Sequence, residues 1–379
     1  MRDPRLARLA DLLVGYSVRV RPDDLVLIRG STVTTPLVVE VCRAVLEAGG
    51  HPHVRQFPEE LEELKLKLGS QAQLEFVDPL LMTEIERVDA LLSFWGGDNT
   101  RHLSNVDPAR QARLGRARGP IMATILKRGG LPEGSKRHLR WVGAQYPNHA
   151  AAQDAEMSLA EFEDFLFRAC LLHKPSPASA WRRASVAQQR LADYLEKGRD
   201  IRFVHPDGTD VRFGIRGRRW INCDGRHNMP DGEVFTAPIE DAADGTVQFR
   251  LPAVHGGREV HDVRLVFQAG RVIDCSASKG EDYLIEMLGH DGGARVPGEL
   301  AIGTNYQVRR HIRNTLFDEK IGGTFHLALG AAYPESGGSN RSALHWDMVC
   351  DLRRGGRIEV DGKIISRNGR FTRAAWPQP

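Results

Sequence analysis

Cysteine is scarce in this 379-residue chain. Its five residues, Cys42, Cys170, Cys223, Cys275 and Cys350, lie far apart with no C-x-x-C pair. That spacing excludes a zinc ribbon or a disulfide framework, and free thiols fit a reducing cytoplasm, the expected location. Long apolar runs are missing too. Nothing approaches the ~18 consecutive apolar residues of a membrane span, so no membrane partner is expected. The opening MRDPRLARLADLL is basic and amphipathic but lacks an apolar core and a small-residue cleavage site, which predicts a first helix rather than a signal peptide. Charge of one sign is also in short supply. The net charge is only +3, and the basic clusters at Arg182-Arg183 and 216–219 have no interleaved aromatics, which points to solvated surface and no nucleic-acid partner. Neither GxGxxG nor GxxxxGK followed by Ser or Thr stands at the strand–helix junctions, so a Rossmann-like topology here carries no nucleotide fingerprint.

What is present divides the chain in two. At this length one core does not suffice, and two domains are predicted, 1–174 and 175–379, separated at the linker-like HKPSPAS. In the first, DLVLIRG predicts a strand, 35–48 a helix stopped by Gly49-Gly50, and 51–56 the next strand. This strand–helix–strand order argues for an α/β domain with a mainly parallel sheet. Helices are also predicted over 59–74, 79–86 and 108–117, and strands over 90–94 and 120–126. LAEFEDFLFRACLL is amphipathic and starts at a Ser158/Glu161 capping box, so its phenylalanines are core residues; a further helix is expected over 180–197. Beyond Gly198, short runs with the turns PDGT, QAGR and DGK predict antiparallel hairpins, and 280–288 a helix. The second domain is thus expected to be α+β, with an antiparallel, barrel-like sheet.

Metal-ligand residue types concentrate in 321–350. His345 and Asp347 stand two apart, a spacing that points both side chains to one face of a strand. His326 lies in the apolar run FHLAL, so a neighbouring strand can bring a second imidazole alongside. A lone histidine of this kind is ordinarily a satisfied core residue, but three such groups in apolar strands weaken that reading. Glu233, in NMPDGEVFTAP, and Glu299, in VPGELAIGTN, are carboxylates just inside apolar strands. Either alone is as readily an exposed strand end. Together the five have the ligand types and number for a two-metal site.

The series NMPDGEVFTAP, ASKGEDYLIEML, GELAIG, NTLFDEKIGGTFHLALGAAYP, SALHWDMV and RNGRF resembles the peptidase M29 family, and the similarity extends more loosely through the first half. The resemblance implies a metallo-aminopeptidase that uses two divalent ions, zinc or cobalt with manganese also compatible, to activate a water against the N-terminal peptide bond of small peptides. It implies Glu233, Glu299, His326, His345 and Asp347 as metal ligands, Glu233 and Tyr333 as catalytic groups, and a homodimer. Tyr333 without that resemblance is a tyrosine packed beside Pro334. Two departures from the family pattern are visible: Asp231-Gly232 stand where Thr-Glu is common, and Trp346 separates His345 from Asp347 where a smaller β-branched residue is usual. The alternatives are a mononuclear non-haem iron enzyme of the same fold that opens hydroxylated pyridine rings, and a non-catalytic metal or peptide binder.

Overall fold

The computed structural model describes residues 3–379, which form two compact units. Of these residues, the first comprises those up to 178 and 225–230, the second 179–224 and 231–379. A short segment beyond the linker therefore belongs to the first unit, which a division at 174/175 does not anticipate.

The first unit is built on a parallel five-stranded sheet in the order His51–Phe57, Leu25–Ser31, Ala90–Trp95, Arg140–Gln145 and Asn228–Met229. Val26, Leu27 and Ile28 are fully buried on the second of these strands, as expected for a strand covered on both faces. The helix Thr35–Glu47 makes the crossover to His51–Phe57, and the registers Val26↔Pro52 and Val26↔Ala90 run parallel on both sides.

Two expectations are corrected. Residues 120–126 form no strand; they lie inside the helix Pro108–Gly129. Leu114, Ala117, Ile121 and Ile125 are its buried apolar residues, a three-and-four spacing that continues through Pro120 and outweighs the one backbone donor that proline removes. The strand the sheet needs is instead Arg140–Gln145, paired to Ala90–Trp95. The acidic helix divides into Glu60–Leu68 and Gln71–Leu74, because Gly69 leaves the helical region (φ −60°, ψ 136°) and Ser70 with Gln73 opens a new capping box.

The second unit takes in the helix Pro177–Leu195 from Ser179 onward and contains two large antiparallel sheets. The eight-stranded sheet is made of the hairpins the turns predicted. Val360 pairs with Lys363, for example, across a two-residue loop in which Asp361 and Gly362 both have positive φ (47° and 75°), the type I′ geometry that suits strand twist. The five-stranded sheet runs His345–Asp351, Thr324–Gly330, Pro297–Gly303, Glu233–Thr236 and Ile221–Cys223. One of its faces carries Leu300, Ile302, Phe325, Leu327, Leu329, Trp346 and Met348 into a core shared with Ile201, Phe203, Phe213 and Phe249 of the eight-stranded sheet. Phe203 and Phe325 stack with ring centroids 4.0 Å apart at that junction. Strand alternation then sends every intervening residue to the other face.

Candidate metal centre

That other face gathers the chemistry. Antiparallel partners point the same way, and the pairings Cys223↔Glu233, Glu233↔Gly303, Ala301↔His326, Glu299↔Ala328, Ala328↔Asp347 and Gly330↔His345 place all five singled-out ligands on it. The positions between them are Ala301, Gly303, Ala328 and Gly330, so the floor of the site is made of small residues. Trp346 lies on the opposite face, 1% exposed in the core, and leaves its two neighbours free to point together. Register slips between Pro297 and Glu299 against the neighbouring strand. A Cβ at Gly298 would stand 2.2 Å from the carbonyl oxygens of both Gly330 and Ala331, so only glycine allows this bulged approach, which sets the height of Glu299.

Glu299 is central. Its Oε1 lies 3.5 Å from His326 Nε2 and its Oε2 3.4 Å from His345 Nε2. His345 Nε2 is also 3.5 Å from Asp347 Oδ2, and His326 Nε2 is 3.4 Å from Glu233 Oε2. These are ion-pair separations, longer than good hydrogen bonds. His345 Nδ1 is 2.9 Å from the carbonyl oxygen of Ala331. A carbonyl only accepts, so Nδ1 carries a proton and Nε2 is the nitrogen that faces the carboxylates of the site. Burial acts to raise Glu299, but the two imidazoles outweigh it and hold that carboxyl down at about 2. Burial disfavours the charged forms of the imidazoles, yet Glu233 and Glu299 raise His326 to about 9, and Glu299 and Asp347 raise His345 to about 10. Asp347 is pushed up to about 6, by burial first.

Two residues with no sequence-derived role complete the cluster. Lys320, its side chain 1% exposed, places Nζ 2.6 Å from Glu233 Oε1, 2.5 Å from Glu319 Oε1 and 3.7 Å from Asp231 Oδ1. Glu233 is therefore a paired carboxylate, although burial, against the pull of Lys320, still moves it up to about 8. Burial works against the Lys320 ammonium, but the surrounding carboxylates hold its pKa well above the ordinary lysine value. Glu319 forms a further candidate group with His326 and Asp347. Both residues sit in NTLFDEKIGG, where a charged triplet next to a turn has the pattern of solvated surface.

Tyr333 stands at the rim. Its ring is 5.4 Å from those of both Phe235 and His345, and 44% of the residue is exposed. Partial burial, then the charges of Glu299 and Asp347, raise its phenol above the ordinary value, so it stays a hydrogen-bond donor at neutral pH despite its contact with solvent.

The donor set fits divalent cations. Nine buried side-chain polar atoms among the described residues have no hydrogen-bond partner, and four of them are Glu233 Oε2, both ring nitrogens of His326, and Asp347 Oδ1. Unsatisfied buried donors and acceptors are costly, and here they converge. Glu233, Glu299 and His326 form one group whose ligand atoms lie within 4.8 Å of one another, and Glu299, His345 and Asp347 form a second. Nitrogen and carboxylate oxygen suit zinc, cobalt and manganese.

Comparison with known proteins agrees with this chemistry. Residues 2–371 match the family described as thermophilic metalloprotease (M29). Aminopeptidase 2 of Geobacillus stearothermophilus is 26% identical, an alignment that covers 97% of this chain and 98% of that protein. Wild-type AmpT from Thermus thermophilus shares the fold with a TM-score of 0.83 at 23% identity, over 98% of this chain and 99% of that one. A 2,5-dihydroxypyridine dioxygenase from Pseudomonas putida KT2440 shares it with a TM-score of 0.62 at 12% identity, over 98% of both chains.

Proposed function

The chain belongs to the M29 family of metallopeptidases, a family of hydrolases, and from that premise we propose that it is an aminopeptidase that removes N-terminal residues from small peptides with two divalent ions. The observation that carries the two-ion reading is the convergence of buried, unpartnered atoms of Glu233, His326 and Asp347 on one sheet face.

The proposed ligands are Glu233, Glu299, His326, His345 and Asp347. Glu299, within 3.5 Å of both imidazoles, takes the shared position between the two groups. Zinc or cobalt suits this set, and manganese is compatible with it. Such ions supply Lewis acidity and bring a water to reactivity near neutral pH. The chain's own part is to orient and to donate. His345 is held through Nδ1, Tyr333 donates a hydrogen bond to the oxyanion that develops on the scissile carbonyl, and Glu233, one oxygen of which has no hydrogen-bond partner, serves as ligand and as acceptor of the water proton. No disulfide joins any of the five cysteines, which fits the proposed cytoplasmic setting, and a homodimer is the proposed assembly. No described helix is long and apolar enough to cross a membrane.

The test is a matched pair of dipeptides, one with a free α-amine and one N-acetylated, incubated with the zinc- or cobalt-loaded protein. Cleavage of the free-amine peptide alone is expected. Equal cleavage of both would replace the aminopeptidase reading with a less selective peptidase, and cleavage of neither would remove it.

A further inference from the structure

Lys320 occupies a place where a metal ligand set would otherwise be complete. Besides the groups centred on Glu299, the ligand atoms of Cys223, Asp231 and Glu233 lie within 4.8 Å of one another. Both carboxylates face the Lys320 ammonium, 2.6 Å from Glu233 and 3.7 Å from Asp231, with the thiol beside them. The lysine is not a loose side chain that happens to reach this spot. Its carbonyl oxygen accepts from the Asn305 amide at 3.0 Å, and Asn305 Nδ2 donates at 2.8 Å to the carbonyl of Asp231, so lysine and aspartate hang from the same short segment.

We propose that Lys320 is a positioning residue: its ammonium fills the Cys223–Asp231–Glu233 flank as a built-in cation and confines divalent ions to the histidine side, with Glu233 Oε2 as the oxygen left for them. The inference rests on the metal-centre reading above. An ammonium is a compact point charge with three donors, and here Glu233 and Glu319 each accept one at hydrogen-bond distance. Glu233 Oε1 is thereby taken, while Oε2 has no hydrogen-bond partner and sits 3.4 Å from His326 Nε2. A further cation on the cysteine flank would be repelled at short range in a buried setting. The chemical consequence is selectivity. A thiolate would make the site softer, and Lys320 keeps it a set of nitrogen and oxygen donors only.

Cobalt(II) reports this directly, because a thiolate ligand gives a sulfur-to-cobalt charge-transfer band that nitrogen and oxygen ligands do not. Wild-type protein titrated with excess cobalt is expected to bind two ions per chain without that band, and Cys223→Ser to behave identically. Lys320→Gln is expected to gain the band and a third cobalt per chain, and both are expected to vanish in the Lys320→Gln/Cys223→Ser double variant. A folded Lys320→Gln protein with the wild-type spectrum and metal count would overturn the proposal. Should that variant not fold, the wild-type protein decides: a sulfur-to-cobalt band at excess cobalt overturns the proposal, and its absence with an unchanged count in Cys223→Ser supports it. Failure of the underlying metal reading is distinct, since it shows as wild-type protein that binds no cobalt.

Discussion

His326 is fully buried with both ring nitrogens lacking a hydrogen-bond partner, an arrangement that a bound cation makes favourable. Its neighbours show which parts of the site the sequence reveals. The pair His345 and Asp347 was legible because a two-residue step on a strand has one geometric meaning, and Trp346 between them is in the core as that alternation requires. Lys320 was not legible. It meets Glu233 across 87 residues of sequence, and nothing local to DEK distinguishes a buried ammonium from a solvated one. Tyr333, unremarkable beside Pro334 without the family pattern, yields a residue-scale prediction. Tyr333→Phe removes one donor from the rim and is expected to lower kcat by about 10²–10³-fold with KM little changed, as for the loss of a single oxyanion donor. Steady-state kinetics on a free-amine dipeptide checks this, and a variant with unaltered kcat would assign Tyr333 to packing alone.

At the scale of elements, the five-stranded sheet works by giving its two faces different jobs, and small residues on the polar face make that possible. Gly298 is the most constrained of them, since a Cβ there meets two carbonyl oxygens at 2.2 Å. Gly298→Ala is expected to destabilise the protein by about 1–3 kcal/mol, the usual range for overpacking, and to weaken metal binding because Glu299 must move with it. Thermal melts together with zinc titration separate the two effects. Unchanged zinc affinity would mean that Glu299 does not depend on the bulge.

The strand that carries His345 and Asp347 ends at Asp351, which accepts from the Arg353 amide at 2.9 Å and from its guanidinium at 2.7–3.1 Å. Burial acts to raise Asp351, but these bonds hold it below the ordinary carboxyl value. A lowered folded value means stability that is present above the unfolded value of about 3.9 and lost as pH falls through the folded one. Asp351→Asn is therefore expected to have a lower Tm than wild type at pH 7, with the gap closing below about pH 4. A gap independent of pH would show that the charge is not what matters there. Element type was otherwise well marked by turns such as Asp361-Gly362 and by helical spacing. It was misread over 120–126, expected as a strand although Ile121 and Ile125 pack at helical spacing in one cluster with Ile85 and Val88.

For the whole molecule, the α/β order of the first half and the hairpin-rich second half were visible from periodicity and turn chemistry. The return of Gly225–Pro230 to the first unit was not, because a two-residue strand such as Asn228–Met229 has too few positions to show a period. On the proposed metal reading, a site assembled from four strands of the second unit couples ion binding to folding of that unit. Ions at a thousandfold excess over their Kd contribute about 4 kcal/mol per site, so a chelator is expected to lower the Tm on the order of 10 °C, and added zinc or cobalt to restore it. An unmoved transition would indicate that the ions are held weakly or not at all.

The most direct test of the central claim is a titration of metal-depleted protein with zinc or cobalt, with bound metal per chain and cleavage of a free-amine dipeptide measured on the same samples. Two ions per chain are expected, with full activity reached at the second equivalent and lost in Glu299→Ala. One ion per chain with no peptide turnover, above all if that ion is iron, would contradict the account and turn attention to ring-cleaving chemistry.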